Sequence, residues 1–551
     1  MDIVADVLIL LLLVVVSDFI ERLLPRALPL PRPLIQILLG GAVALSGTPV
    51  PSFEPEVFFL LFLPPLLFLD GWRIPPEELF QEKGTVVQLA LGLVIFTVLG
   101  VGTFIHFLLP AMPLSVAFAL AAVLSPTDAI AVSDIARRVT MPRRMKRILQ
   151  GECLLNDASG LVCFRLAVAA TLTGAFSLPA AALDFAYNVG AAVVAGVGLT
   201  LILSGLKNHV SRHLGEDSGA QILISLLIPF GCWLLAERLH ASGVLAVAAA
   251  GLTMSFVEHA GHAEPTTRIR RSTFWDLIQF SANGVIFVLL GEQLPGIVGA
   301  AADTALQAGH TQPLWLLAAV IAISAALVLL RATWVLVTLR VRWFRRRAAQ
   351  AGGTVTEATP WRLMAAMSLA GVRGAVTLAG VLSLPLLLPS GDRFPARDLA
   401  VLLAMGVIVV SVLTASVALP LLLRGLELPD DPARAAEEAA ARTAAAQAAV
   451  GALEQLERER LDAGAEGSVD AAAAARVIAA YRARIERHAG DAAAMALAQG
   501  AEAAERQMQL AGLRAERAEI QAQVKARRLG SATARRLIRE LDLHEARLAS
   551  T

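Results

Sequence analysis

Apolar positions in the first 425 residues come in long blocks, apolar on every side, rather than recurring on a single face. Thirteen blocks reach, or nearly reach, the ~20 helical residues needed to cross a bilayer. They lie near 3–24, 33–48, 55–72, 85–109, 114–135, 148–173, 181–206, 219–238, 242–257, 275–296, 312–340, 361–389 and 397–424. From Pro429 onward the pattern changes. The chain becomes rich in Ala, Glu and Arg, with short apolar seams such as Leu453/Leu456 and Leu537/Leu541/Leu548, broken by Gly464, Gly467, Gly490, Gly512 and Gly530. That pattern predicts soluble amphipathic helices. The expected architecture is an all-α polytopic membrane domain of about thirteen transmembrane helices over 1–428, then a helical tail over 429–551.

The connections between blocks orient the chain. With the N-terminus outside, the inward loops should carry the basic residues. They hold Arg22, Arg26 and Arg32; Arg73 and Lys83; Arg137, Arg138, Arg143, Arg144, Lys146 and Arg147; Lys207 and Arg212; Arg268, Arg270 and Arg271; and Arg340 to Arg347. The other loops are nearly bare, apart from Arg238, Arg393 and Arg397. An odd number of spans then places the tail inside the cell.

Composition narrows the class. A 56% hydrophobic content and a mean hydropathy of +0.65 are too apolar for a soluble protein of 551 residues, and a net charge of +1 gives no grip on nucleic acid. Cys153, Cys163 and Cys232 are scattered through apolar blocks, so neither a disulfide framework nor a zinc site is expected. The run from Ile3 lacks the basic start and small-residue cleavage site of a signal peptide, so it is expected to remain as a helix.

Ionisable residues inside apolar spans are costly and usually mark an ion or proton pathway. The stretch Gly151-Glu152-Cys153-Leu154-Leu155-Asn156-Asp157-Ala158-Ser159-Gly160 carries three such polar groups on neighbouring helical faces. Asp157 lies ten residues after Arg147, about 15 Å into the membrane; Asp128 lies nine residues before Arg137, about 14 Å deep. The two carboxylates, on antiparallel spans, thus converge near mid-membrane. Pro126 in Ser125-Pro126-Thr127-Asp128 frees a carbonyl and lets its helix unwind, offering backbone oxygens and Thr127 as ligands. Arg373, within Gly371-Val372-Arg373-Gly374, needs a buried carboxylate, and Glu152 and Asp157 are the candidates. Glu152 is favoured, because pairing with Asp157 would hold that aspartate charged and spoil it as a carrier. Of three other charges, Arg165 is expected to pair with a carboxylate the sequence does not identify, Arg331 to stabilise its span or line the pathway, and Glu292 to serve a helix end; the histidines fall near the membrane interfaces.

Four motifs, "LPPLLFLDG", "SPTDAIAV", "GECLLNDASG" and "GVRGAVTLA", occur in this order over residues 1–425. Together they resemble the sodium/proton exchanger family of the cation:proton antiporter superfamily, and particularly its bacterial NhaP and YjcE-type members. The resemblance implies an inverted-repeat fold with two broken helices, a core domain moving against a dimerisation domain in a homodimer, and exchange of Na⁺ or Li⁺ for H⁺. It implies that Asp157 binds ion and proton with Asn156 beside it, that Thr127 and Asp128 complete the site, and that Glu152 and Arg373 form a structural ion pair. Cys153 stands where relatives carry serine, and a thiol is a poor partner for hard Na⁺. Asp70 follows the position at which some relatives have a carboxylate; a cytoplasmic cation lure and a salt bridge to Arg73 are its two readings.

A single buried carboxylate that must be neutralised suits exchange, since burial disfavours the charged form and sets a proton and a cation in competition for the same oxygens. Asn156 cannot titrate, so a 1:1 electroneutral cycle is expected. No cofactor beyond the transported ions is called for. K⁺/H⁺ exchange on the same scaffold is the alternative. A channel lacks a filter-like loop, and a membrane aspartyl hydrolase using Asp128 and Asp157 would need paired carboxylates where asparagine adjoins one of them.

Overall fold

Each of the thirteen apolar blocks contains helix among its described residues in the computed structural model. It describes residues 2–24, 30–46, 55–74, 84, 88–128, 141, 143–174, 178–259, 264–307, 313–349, 361–424, 432–462, 468–488, 492–526, 528–529 and 531–549. In chain order the first helices are α1 (Asp2–Leu23), α2 (Arg32–Leu45), α3 (Pro55–Arg73) and α4 (Gln88–Leu108), the last opening with a π-helical turn over Gln88–Leu93. Next come α5 (Leu114–Leu124), α6 (Arg143–Thr173), α7 (Leu178–Leu214), α8 (Ser218–Arg238) and α9 (Gly243–His259). The series continues with α10 (Pro265–Gln307), α11 (Pro313–Ala349), α12 (Trp361–Leu369), α13 (Ala375–Leu382) and α14 (Arg397–Leu423). Six helices among the described residues, including α4, α8 and α14, are long and apolar enough to cross a bilayer. The helices Arg32–Leu45 and Leu114–Leu124 are apolar but shorter. The chain divides into two compact units, Met1–Leu426 and Glu427–Thr551.

In lipid, helices gain no hydrophobic energy from pairing and associate through close packing at small residues. Two groups result. α1, α2, α3, α7, α8, α9 and α10 pack on one another; α4, α5, α6, α11, α12, α13 and α14 form the second group. Gly40 and Gly291 let α2 and α10 cross backbone to backbone, and a Cβ on Gly71 would stand 2.8 Å from the Ala248 carbonyl oxygen where α3 crosses α9. In the second group, a Cβ on Gly160 would sit 2.7 Å from the Pro126 ring, and Gly380 and Gly406 receive Val123 and Val320. These close approaches all join helices of one group. The seam between groups runs along α10 and α14, α3 with α6 and α13, and α9 with α6.

The second group repeats one motif: helix, broken helix, helix. α5 stops at Leu124 because Pro126 has no N–H to continue the ladder and disfavours helix just before it. Ser125 Oγ caps the end by donating to the Ala122 carbonyl at 3.0 Å. The continuation of this block, to 135, lies outside the described residues, as do Arg137 and Arg138 of the basic loop. The twelfth block breaks at Ala370–Gly374, between α12 and α13. The two unwound stretches cross, and the Asp128 N–H donates to the Val372 carbonyl at 2.7 Å.

The tail unit comprises α15 (Pro432–Asp462), α16 (Ser468–His488), α17 (Ala492–Lys525) and α18 (Ser531–Ala549). α15 pairs with α16, where Arg482 meets Glu454 at 2.9 Å, and α17 pairs with α18, where Arg517 bridges Asp542 and Glu545. Leu537, Leu541 and Leu548 are half-buried as the seam pattern requires, whereas Leu456 is exposed.

Candidate functional site

A cavity of about 30 Å³ lies at the seam, room for about one or two water-sized groups. The second group supplies Pro126, Thr127, Asp128, Cys153, Asp157, Gly374, Val376 and Thr377; the first supplies Leu63, Leu66, Leu67 and Asp70 from α3 and Asn283 from α10. Among the described residues three carboxylates thus line it, with no lysine or arginine in the wall. Asp157 is 3% exposed, and its Oδ1 has no hydrogen-bond partner among the described residues. A buried acceptor left open is rare and costs about 1–3 kcal/mol unless something occupies it. Asn156 stands behind the wall rather than in it. Its Nδ2 donates to Thr127 Oγ1 at 3.1 Å, fixing that hydroxyl, while its Oδ1 is a second buried acceptor without a partner among the described residues.

Asp128 is held at the crossing. Its carboxylate packs against Gly374, immediately before the first turn of α13, where a Cβ would lie 2.7 Å from the carboxylate carbon. Only a glycine admits this approach, and the exposed N–H groups of a helix start favour a negative charge. The donor set is oxygen-rich: two carboxylates of the second group, Thr127, Thr377, and across the seam Asp70 and Asn283. Hard monovalent cations are bound by such oxygens. Among the described residues no three His, Cys, Asp or Glu side chains gather into a multidentate metal cage.

The expected Glu152–Arg373 pair is replaced by another. Glu152, fully buried, accepts both Nη groups of Arg331 from α11, Nη2 to Oε2 at 2.8 Å, while Arg331 Nε donates to the Met367 carbonyl at 3.0 Å. Every nitrogen of that fork is used, so the carboxylate needs no second arginine. Arg373 instead donates Nε to the Leu124 carbonyl at 2.9 Å and Nη1 to the Gly371 carbonyl. Both carbonyls belong to the helix breaks, which strip them of their intrahelical partners. The guanidinium therefore staples the two unwound stretches together, and its backbone N–H is tied to Ser411 Oγ at 3.1 Å.

Other expectations settle as follows. Asp70 lines the cavity, while Arg73 is engaged by Asp276 and Gln279 of α10. Cys153 lies in the cavity wall, as its place beside Asp157 implied. Arg165 is exposed on α6 rather than paired within the bundle. Glu292 lies where α10 crosses α2 at Gly40, and His106 Nδ1 meets the Met112 carbonyl at 2.9 Å just past α4. Arg331, Asn283 and Thr377 were not singled out as site residues from sequence. The depth count that found Asp157 also finds two of them: Arg331 lies nine residues before Arg340 and Asn283 twelve after Arg271, about 14 and 18 Å deep.

Residues 8–425 match the model of the sodium/hydrogen exchanger transmembrane family. The chain belongs to that family. As a sodium/hydrogen exchanger family member it is a cation:proton transporter and not an enzyme. It is 39% identical over 557 residues to the uncharacterised Na⁺/H⁺ exchanger YjcE of Escherichia coli K12, covering 100% of this chain and 99% of that protein, tail included. It is 40% identical over 428 residues to the sodium, potassium, lithium and rubidium/H⁺ antiporter of Bacillus subtilis 168; that match spans 77% of this chain and 62% of the relative. The fold matches that of the sodium proton antiporter MjNhaP1 from Methanocaldococcus jannaschii, with a TM-score of 0.58, 20% identity, and coverage of 77% of this chain and 99% of the other.

Proposed function

We propose that this exchanger carries Na⁺, or Li⁺, against H⁺ with 1:1 stoichiometry and no net charge movement, by alternating access. The observation that carries the reading is the open Oδ1 of Asp157 in the wall of an oxygen-lined cavity at the seam. A proton or a desolvated cation satisfies that atom, and the two compete for it. The second helix group is the moving part, since its close packing is internal and the cavity lies at its border with the other group. Among the described residues its charges near the site are Glu152 and Arg331, which cancel, then Arg373, the half-buried Asp128, and Asp157. With Asp128 ionised against α13, the empty group carries one net negative charge and the loaded group none. Moving a charged group through low dielectric is costly, so only the loaded form crosses. Asp70 belongs to the other group and contributes nothing to the charge that moves. An outside N-terminus, a cytoplasmic tail and a homodimer complete the proposal; the basic inward loops support the orientation.

K⁺ is the second reading, favoured by one observation: the relative from Bacillus subtilis is named for sodium, potassium, lithium and rubidium. Purified protein in liposomes with an internal pH dye tests both. Na⁺ and Li⁺ pulses should dissipate an imposed pH gradient, and Asp157→Asn should abolish the response while the protein inserts normally. Clamping the potential with K⁺ and valinomycin tests the stoichiometry, because each net charge would contribute about 2.3 kcal/mol per 100 mV. Rates should ignore the clamp. A steep dependence on its sign would refute the 1:1 cycle, and full flux in Asp157→Asn would refute the site.

A further inference from the structure

We infer that Asn283 is a cation ligand supplied from across the seam and that it helps set which monovalent ion the site prefers. The inference rests on the cation-site reading of the Asp157 cavity. Asn283 lies on α10, in the group that does not carry Asp157, and its side chain lines the same cavity. Asn283 is itself half-buried, while its neighbours Ala282, Val285, Ile286 and Phe287 are buried and apolar, so its carboxamide is a polar group in an otherwise apolar stretch of α10. Among the described residues its amide hydrogen-bonds to no neighbouring side chain or carbonyl.

The local packing explains why the group points to the cavity. The next residue, Gly284, presses α10 onto α1 and α2; a Cβ on it would strike Val14 and lie 3.1 Å from Gln36 Nε2. Gln36 is itself tied to Ser17 Oγ at 3.1 Å, and Gly291 locks a second crossing with α2 two turns further on. One step along a helix turns about 100°, so fixing Gly284 against α1 and α2 turns Asn283 away from them. Its depth of about 18 Å, counted from Arg271, matches the ~15 Å of Asp157 counted from Arg147.

A neutral carbonyl oxygen here adds a ligand without adding charge, so it tunes affinity while the proton count stays with Asp157. Because it sits on the opposite group, it joins the ion only when the seam is closed in this arrangement. Small cations gain most from one extra well-placed oxygen, since their field at the ligand is strongest.

Asn283→Ala and Asn283→Ser are compared with the parent in liposomes, measuring apparent KM for Li⁺, Na⁺ and K⁺, alongside the thermal stabilisation of the detergent-solubilised protein by NaCl against choline chloride. Loss of one ligand should raise the Li⁺ and Na⁺ KM about tenfold. The K⁺ value should change less, and the maximal rate should stay within about twofold. Serine should restore part of the effect. The NaCl-dependent rise in melting temperature should shrink in Asn283→Ala, while the melting temperature in choline should equal or exceed the parent's, because no partner is lost. An unaltered Li⁺:Na⁺:K⁺ pattern, a lowered melting temperature in choline, or a lost maximal rate at parental KM would each overturn the assignment. Asp157→Asn is run beside it. If Asp157→Asn is inactive and Asn283→Ala is parental, only this inference fails; if Asp157→Asn still exchanges, the site reading fails first.

Discussion

Replacing Glu152 by Gln, Arg331 by Met, and both together measures the buried pair directly. Glu152 and Arg331 are 0% and 3% exposed, and the guanidinium grips both carboxylate oxygens. Either single change leaves a charge in the bundle with nothing opposite it, a loss of about 3–5 kcal/mol. The double change removes both charges and should cost less than the sum, by a coupling of roughly 2–3 kcal/mol. Arg373 provides the internal control. Its guanidinium is satisfied by the Leu124 and Gly371 carbonyls, so a cycle between Glu152→Gln and Arg373→Met should couple by less than about 1 kcal/mol, through space alone. For a unit of this length each kcal/mol moves the melting temperature by about 1–2 °C, extrapolating from soluble domains. The single variants should therefore melt roughly 3–10 °C below the parent, with the double variant melting well above the temperature that the two losses added together would give. Melting is followed by intrinsic fluorescence in detergent, with monodispersity checked by size exclusion. Additivity of Glu152→Gln with Arg331→Met, or stronger coupling of Glu152 to Arg373, would refute the pairing and the role given to the freed carbonyls.

Gly374→Ala should cut exchange at least tenfold, because its Cβ drives the Asp128 carboxylate off α13, whereas Gly380→Ala meets only the Val123 side chain and should stay within about threefold; flux in liposomes at equal protein density compares them. Truncation after Asp431 should leave exchange intact, since the helices of Met1–Leu426 form a compact unit without the tail. Loss of flux in a well-inserted truncation would assign the tail a direct part in transport.

Much of this fold was legible because lipid imposes a simple rule: a segment that crosses must be apolar on all sides, and one that carries charge there must have a reason. The thirteen blocks, the break at Pro126 and the meeting of Asp128 with Asp157 follow from that rule and a rise of 1.5 Å per residue. The arginine assignment failed for a different reason. Sequence identifies which carboxylates and arginines are buried, but it does not count the carbonyls that a broken helix releases. Once those are included, Arg373 has partners of its own, and Arg331, at matching depth on α11, is left for Glu152. Asn283 was missed because a neutral amide raises no alarm in a charge search, although its depth matches that of Asp157.

Charge placement separates what holds this protein together from what it does. The Glu152–Arg331 pair is closed, with donors and acceptors matched and both residues buried. Arg373 is closed as well, against the carbonyls that unwinding exposes, so the break creates the staple's acceptors as well as opening the helix. Two acceptors beside it are left open, Asp157 Oδ1 and Asn156 Oδ1, and both lie on the α6 turn that faces the crossing. Had Arg373 paired with either acidic residue of that stretch, the staple would be lost, and pairing with Asp157 would also hold that carboxylate ionised and spoil it as a carrier. Distributing two arginines over one glutamate and two freed carbonyls avoids both, and leaves Asp157 the unsatisfied acid at the seam between the helix groups.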